Sequence, residues 1–184
     1  DHPDTLVAMA NLAVNYQDAG KFELALPLHE ETLKLMKAKL GPNHPNTLHC
    51  MNSLALGYKA AGKLDLALPL YEETLKLRKA KLGPDHPDTL TSTNGLALVY
   101  QAAGKFDLAL PLLEDNLKHT RSQFGSVHPN TLKCMNNLAK GYKDAGKLEL
   151  AVPLYEETLK LAKSQLGADH KNTLLCMNNL AMAL

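Results

Sequence analysis

The chain has 184 residues, 45% of them hydrophobic, and 20 Lys and Arg stand against 19 Asp and Glu. Charge this evenly balanced provides no field to draw the chain onto nucleic acid or an anionic membrane, so neither is an expected partner. No apolar run approaches the ~18 residues that span a bilayer, and three cysteines, an odd number, fit a reducing, cytoplasmic setting better than a disulfide framework. With no Trp and only 6 Tyr and 3 Phe, the core must be largely aliphatic.

A fixed period organises the chain. His2, His44, His86, His128 and His170 recur every 42 residues, and so do Tyr16, Tyr58, Tyr100 and Tyr142, and Gly20, Gly62, Gly104 and Gly146. The array is read as a single domain over 1–184, with repeats 1–42, 43–84, 85–126 and 127–168 and a partial repeat 169–184. Identical tiles present the same face to each neighbour, as the units of a solenoid do. Because the chain begins and stops inside the pattern, it is expected to be part of something longer.

Each tile predicts two helices. In the first, Tyr16 and Gly20 mark the end of one helix and Pro27 falls inside the next. In the second tile, a helix from Pro45 or Thr47 to Ala60 carries Leu48, Met51, Leu54, Ala55 and Tyr58 along one face. Pro45 suits the first helical turn, and Gly62 just past the end suits a left-handed cap. A second helix over Leu64–Leu82 is stopped by Gly83-Pro84. Pairs such as Glu30 and Lys34, Glu72 and Lys76, Glu114 and Lys118, and Glu156 and Lys160 place an acid four residues before a base on an outer face. Pro27, Pro69, Pro111 and Pro153 each fall about five residues into a second helix, where they either set a common bend or are tolerated by the first turn. Residues 113–127 of the third tile have drifted most. The fourth tile differs from the second at only 11 of 42 positions.

Leu54-Ala55, Tyr58, Ala67 and Tyr71 resemble the helix-turn-helix signature of tetratricopeptide repeats. The 42-residue period, the "NNLA" of 136–139 and the Leu40-Gly41…His44-Pro45 spacing resemble the kinesin-light-chain-type subclass. Met or Thr stands where the family usually has Trp, and His29 and Leu113 occupy the second aromatic position. The resemblance implies an all-α, right-handed superhelical solenoid of antiparallel helix pairs, acting as a non-catalytic scaffold that binds a peptide or protein segment in a concave groove lined by the first helices.

No enzyme motif opposes that reading. There is no phosphate loop, His-Glu-x-x-His or paired Cys-x-x-Cys, and "HEETL" at 29–33 lacks its second His. The period sets successive loop histidines a full helix pair apart, beyond the reach of one metal ion, so no metal or cofactor is expected. Cys50, Cys134 and Cys176 share a position with Ala8 and Ser92, which points to a tight contact rather than to reactive thiols.

Carrying the family's groove positions over gives one amide per repeat, Asn52, Asn94, Asn136 and Asn178, with Ala10 breaking the row. Such a column is suited either to gripping an extended main chain or to bonding neighbouring helices. Around it lie His49, Lys59, Gln17 and Gln101, and Lys133, Lys140 and Lys143 share a face with Asn136. Three lysines there favour an acidic or C-terminal-carboxylate peptide, or else form an ordinary solvated face. The alternative to groove binding is a structural or sensory spacer within a larger protein, a role that near-identical tiles suit. Without capping repeats, end-to-end self-association is also expected.

Overall fold

The computed structural model describes residues 2–184, and the elements among them are all helical. In chain order they are α1 (Pro3–Asp18), α2 (Phe22–Lys39), α3 (Pro45–Ala60), α4 (Leu64–Leu82), α5 (Pro87–Ala102), α6 (Phe106–Phe124), α7 (Pro129–Asp144), α8 (Leu148–Leu166) and α9 (Lys171–Ala181). They fall into two compact units, residues 1–84 and 85–184. Within the first, α1 packs on α2, α2 on α3 and α3 on α4; within the second, α5 through α9 pack in the same sequential way.

Both helix boundaries have local causes. Every first helix is capped by the loop histidine: Nδ1 of His2, His44, His86, His128 and His170 accepts the backbone N–H two residues on, at 3.2–3.3 Å. Each such bond satisfies one of the orphan donors of the first turn. Pro3, Pro45, Pro87 and Pro129 follow directly, where a missing N–H costs nothing. At the other end Gly62 adopts φ 75°, a left-handed conformation that lets Lys63 N–H return to Tyr58 O at 2.8 Å. The expected interior prolines are present at Pro27, Pro69, Pro111 and Pro153, and each second helix continues through them.

Packing rests on small residues at the helix crossings. Ala13, Ala55, Ala97 and Ala139 on the first helices and Ala25, Ala67, Ala109 and Ala151 on the second are all fully buried. In the second unit Leu110, Leu113, Leu117, Leu132, Met135 and Leu138 form the main apolar cluster, and Ala139, Ala151 and Tyr155 form another. Tyr58 Oη donates to Glu30 Oε1 at 2.7 Å, and Tyr142 Oη donates to Glu114 Oε1 at 2.8 Å. Burial first, then the Glu30 carboxylate, pushes the Tyr58 hydroxyl up to about 12.

His29 occupies the position held by Tyr71, Leu113 and Tyr155 in the other tiles. It is completely buried, and neither ring nitrogen has a hydrogen-bond partner. Burial, followed by the nearby His49, holds it below the ordinary histidine range, so the folded protein keeps it neutral. A base whose folded-state pKa is lowered gives its full stability above the unfolded value of about 6.5 and loses it as pH falls below that value. In urea melts followed by circular dichroism, stability is therefore expected to fall between pH 7.5 and 5.5. His29→Leu, which copies Leu113, is expected to flatten that fall; equal slopes for the two proteins would refute the assignment.

Candidate interaction surface

The sequence positions singled out above lie on the first helices. Asn52, Asn94 and Asn136 are half-buried, on α3, α5 and α7, and Asn178 on α9 is exposed. In the second unit the amides form a ladder. Asn137 Nδ2 donates to Asn94 Oδ1 at 2.9 Å, and Asn179 Nδ2 donates to Asn136 Oδ1 at 2.9 Å. The donors come from the residue beside the column, and each bond ties one first helix to the next. The carbonyl oxygens of Asn94 and Asn136 thus fix helix stacking.

The three lysines are not equivalent. Lys140 Nζ lies 2.8 Å from Asp144 Oδ2, one turn along α7, and the same oxygen accepts a hydrogen bond from Gln101 Nε2 at 2.7 Å. Burial alone would raise the Asp144 carboxyl, but the Lys140 and Gln101 hydrogen bonds and the charges of Lys140 and Lys143 hold it below the usual carboxylate range. Asp144 therefore neutralises part of the expected basic strip. Lys133, exposed one residue before Cys134, has no carboxylate partner among the described residues.

Gln101 lies within the contact between helices rather than on an open face: it is 6% exposed and its Nε2 is engaged by Asp144. Gln17 is half-buried, with its Oε1 against Gly57 of α3, where a methyl group would lie 2.7 Å away. Lys59 is half-buried and His49 exposed, both on α3.

Two clefts open between consecutive first helices of the second unit. One, of about 120 Å³, lies between α5 and α7 and is lined by Leu90, Asn94, Asn116, Thr120, Lys133 and Cys134, among others. The other, of about 470 Å³, lies between α7 and α9, with Leu132, Lys133, Asn136, Ala162, Leu175 and Cys176 on its walls. Asn130 and Lys133 belong to the rims of both. All three cysteines are buried, and burial pushes Cys50 up to about 12 and raises Cys134 and Cys176. Thiols so shifted are poor nucleophiles at neutral pH. Among the described residues no group of three His, Cys, Asp or Glu side chains is placed to hold a metal ion. Nor is any helix among them long and apolar enough to cross a membrane.

Paired helices in a 42-residue register, small residues at their crossings and an exposed surface on the first helices define a helical-repeat protein. The tetratricopeptide repeat family profile matches residues 4–80, 52–115, 88–164 and 135–184, and the chain belongs to that family. Within it the kinesin-light-chain-like form is the relevant one. A solved kinesin light chain of nearly identical TPR-like repeats from Podosopora anserina is 31% identical, with a TM-score of 0.86 over 100% of this chain and 87% of that one. A substituted form of the same protein gives 30% identity and a TM-score of 0.87, over 100% and 86% of the two chains. BtubC (BKLC) from P. vanneervenii, at 22% identity and a TM-score of 0.81 over 95% of this chain and 70% of that one, shares the fold. No curated protein sequence matches.

Two substitutions separate the structural from the electrostatic roles on this surface. Asn137→Ala removes one rung of the ladder and is expected to lower unfolding free energy by about 0.5–1.5 kcal/mol, the usual net value of a neutral hydrogen bond, in urea titration. Asp144→Asn retains an acceptor for Gln101 but removes the charge facing Lys140. It is expected to cost less than about 1 kcal/mol, as for an exposed ion pair, and to tighten binding of poly-glutamate peptides in fluorescence anisotropy. Unchanged binding would show that Lys140 plays no part in the surface potential.

Proposed function

We propose that the chain is a non-catalytic interaction scaffold whose first helices bind an extended peptide or protein segment along a concave groove, with a preference for acidic sequence. The observation that carries this reading is the convergence at α7 of half-buried Asn94 and Asn136, unpaired Lys133 and two clefts that share its rim. Amides one repeat apart suit main-chain groups, and a lysine between them suits a carboxylate. The unbroken 42-residue period supports use of the repeats as one array, and the balanced charge and odd cysteine count support a cytoplasmic setting.

A peptide array probed with the intact chain tests the groove. Lys133→Glu, Lys140→Glu and Lys143→Glu together are expected to weaken binding of acidic spots at least tenfold; unaltered binding removes the acidic preference. A second reading, a spacer with no groove ligand, is favoured by the Asn94–Asn137 and Asn136–Asn179 bonds, which give the amides a stacking role. An array with no positive spots would support it.

Self-association is the further partner. Leu174, Leu175, Met177, Met182 and Leu184 are exposed around α9, and Val7 and Leu12 are exposed on α1. Exposed apolar side chains in this number favour contact between copies. Light scattering is expected to show mass rising with concentration toward the millimolar range, and to show a lower mass for Leu175→Lys with Met182→Lys. A strict monomer throughout would exclude it.

A further inference from the structure

One position stands beneath the surface of every tile and differs in each. Met36, Arg78, Thr120 and Ala162 are 42 residues apart on α2, α4, α6 and α8, and all four are buried. In an array where the second and fourth tiles differ at only 11 of 42 positions, four unlike side chains at one buried register is a marked departure. Thioether, guanidinium, hydroxyl and methyl have no common packing role, and in the second unit two of them, Thr120 and Ala162, lie in the linings of two neighbouring clefts.

The two clefts of the second unit show the effect. Their walls correspond residue for residue: Leu90 to Leu132, Asn94 to Asn136, Asn130 to Asn172 and Cys134 to Cys176. Their floors do not. Under the smaller cleft Asn116 reaches across to donate from Nδ2 to Leu90 O at 2.6 Å, and its Oδ1 accepts from Thr120 Oγ1 at 3.1 Å and from Cys134 Sγ at 3.3 Å. The group is buried, with both its amide nitrogen and its oxygen hydrogen-bonded, so it fills the space as a polar plug. Under the larger cleft Thr158 stands in place of Asn116 and turns back to donate to Leu154 O of its own helix at 2.6 Å. Ala162, Leu132, Leu175 and Cys176 supply the apolar side of this cleft of about 470 Å³, and Lys133, Asn136 and Asn172 are among its polar lining.

We infer that this floor position is the specificity selector of the groove, and that Ala162 makes the α7–α9 cleft a subsite for one large aliphatic side chain of a bound acidic segment. The inference rests on the groove reading above. An apolar hollow with a few polar groups at its mouth is the usual form of a side-chain pocket. Asn136 and Asn172 line the mouth, suited to the main chain on either side, and Lys133 on the rim is the cationic partner for a flanking carboxylate. The plug under the α5–α7 cleft excludes the same side chain, so the two registers read a peptide differently. Discrimination of this kind combines an accepting site with a rejecting one.

The test uses two fluorescein-labelled peptides, Gly-Glu-Leu-Glu-Gly-Gly and its analogue with Ala at the third position, in anisotropy titrations against the whole chain. The Leu peptide is expected to bind about tenfold tighter. Ala162→Met, which installs the residue found at Met36, is expected to bring that ratio to about one while the Ala peptide changes less than about twofold. Asn116→Thr with Thr120→Ala copies the floor of the fourth tile and is expected to add a second Leu-selective site, read as doubled stoichiometry. Thermal melts confirm that each variant folds, and both floors already exist within this chain. A ratio that survives Ala162→Met, or a wild type that does not discriminate, overturns the selector even if both peptides still depend on Lys133. Failure of the double variant to gain a site overturns the role of the plug. If neither peptide binds, the groove reading falls and the selector with it.

Discussion

The closeness of the helices is the constraint from which the rest follows. Two alanines per tile, Ala13 with Ala25 and so on through Ala139 with Ala151, are buried without residue, and only a side chain of that size lets paired backbones approach so nearly. Dispersion and apolar burial then act over the whole length of each contact rather than at a few large anchors. That explains how a chain with no Trp and three Phe closes its core. Close pairing also fixes where freedom remains. The buried faces must repeat, because each is both a tile's own surface and its neighbour's mould. The open face of the first helices carries no such obligation, and part of the difference between tiles lies there.

The second and fourth tiles illustrate this. Of their few differences, His49 becomes Lys133, Ser53 becomes Asn137, Leu56 becomes Lys140 and Ala60 becomes Asp144, all on the first helix, while Arg78 becomes Ala162 beneath it. Asn137 supplies a rung of the ladder, and Asp144 restrains the charge that Lys140 introduces. The changes are thus mutually dependent, as neighbouring contacts in one network are expected to be.

The helices, their caps and the family were legible in the sequence because each rests on local chemistry repeated several times. The 3.6-residue periodicity, Pro after His and the glycine in a left-handed turn are visible within one tile, and agreement across tiles removes ambiguity. The surface was less legible because its properties come from pairs of residues distant in the chain. Gln101, expected to face a ligand, is buried, with its amide donating to Asp144, 43 residues on. Asp144 itself carried a readable signal, an acid four residues after Lys140 on one helical face, but its second partner lay outside any local window. The plug of Asn116, Thr120 and Cys134 joins two helices and has no counterpart in other tiles from which a pattern could be drawn.

A longer correlation runs beneath the 42-residue one. Gln17 faces Gly57, and Gln101 approaches Gly141, so that a β-carbon on either glycine would meet the Gln or the leucine beside it. At the same register the tiles that follow Lys59 and Lys143 carry Val99 and Ala183 instead. In the sequence each glutamine is therefore followed by glycine and each lysine by a larger residue, an alternation that repeats every two tiles. A first helix moved from one tile to its neighbour would place valine where glycine is needed, despite the similarity of the two. Side-chain identity on the open face is tied by these contacts to position within the pair of tiles. Where Gln17 and Gln101 precede Gly57 and Gly141, what looks like drift between near-copies is in part the fitting of a first helix to the glutamine before it.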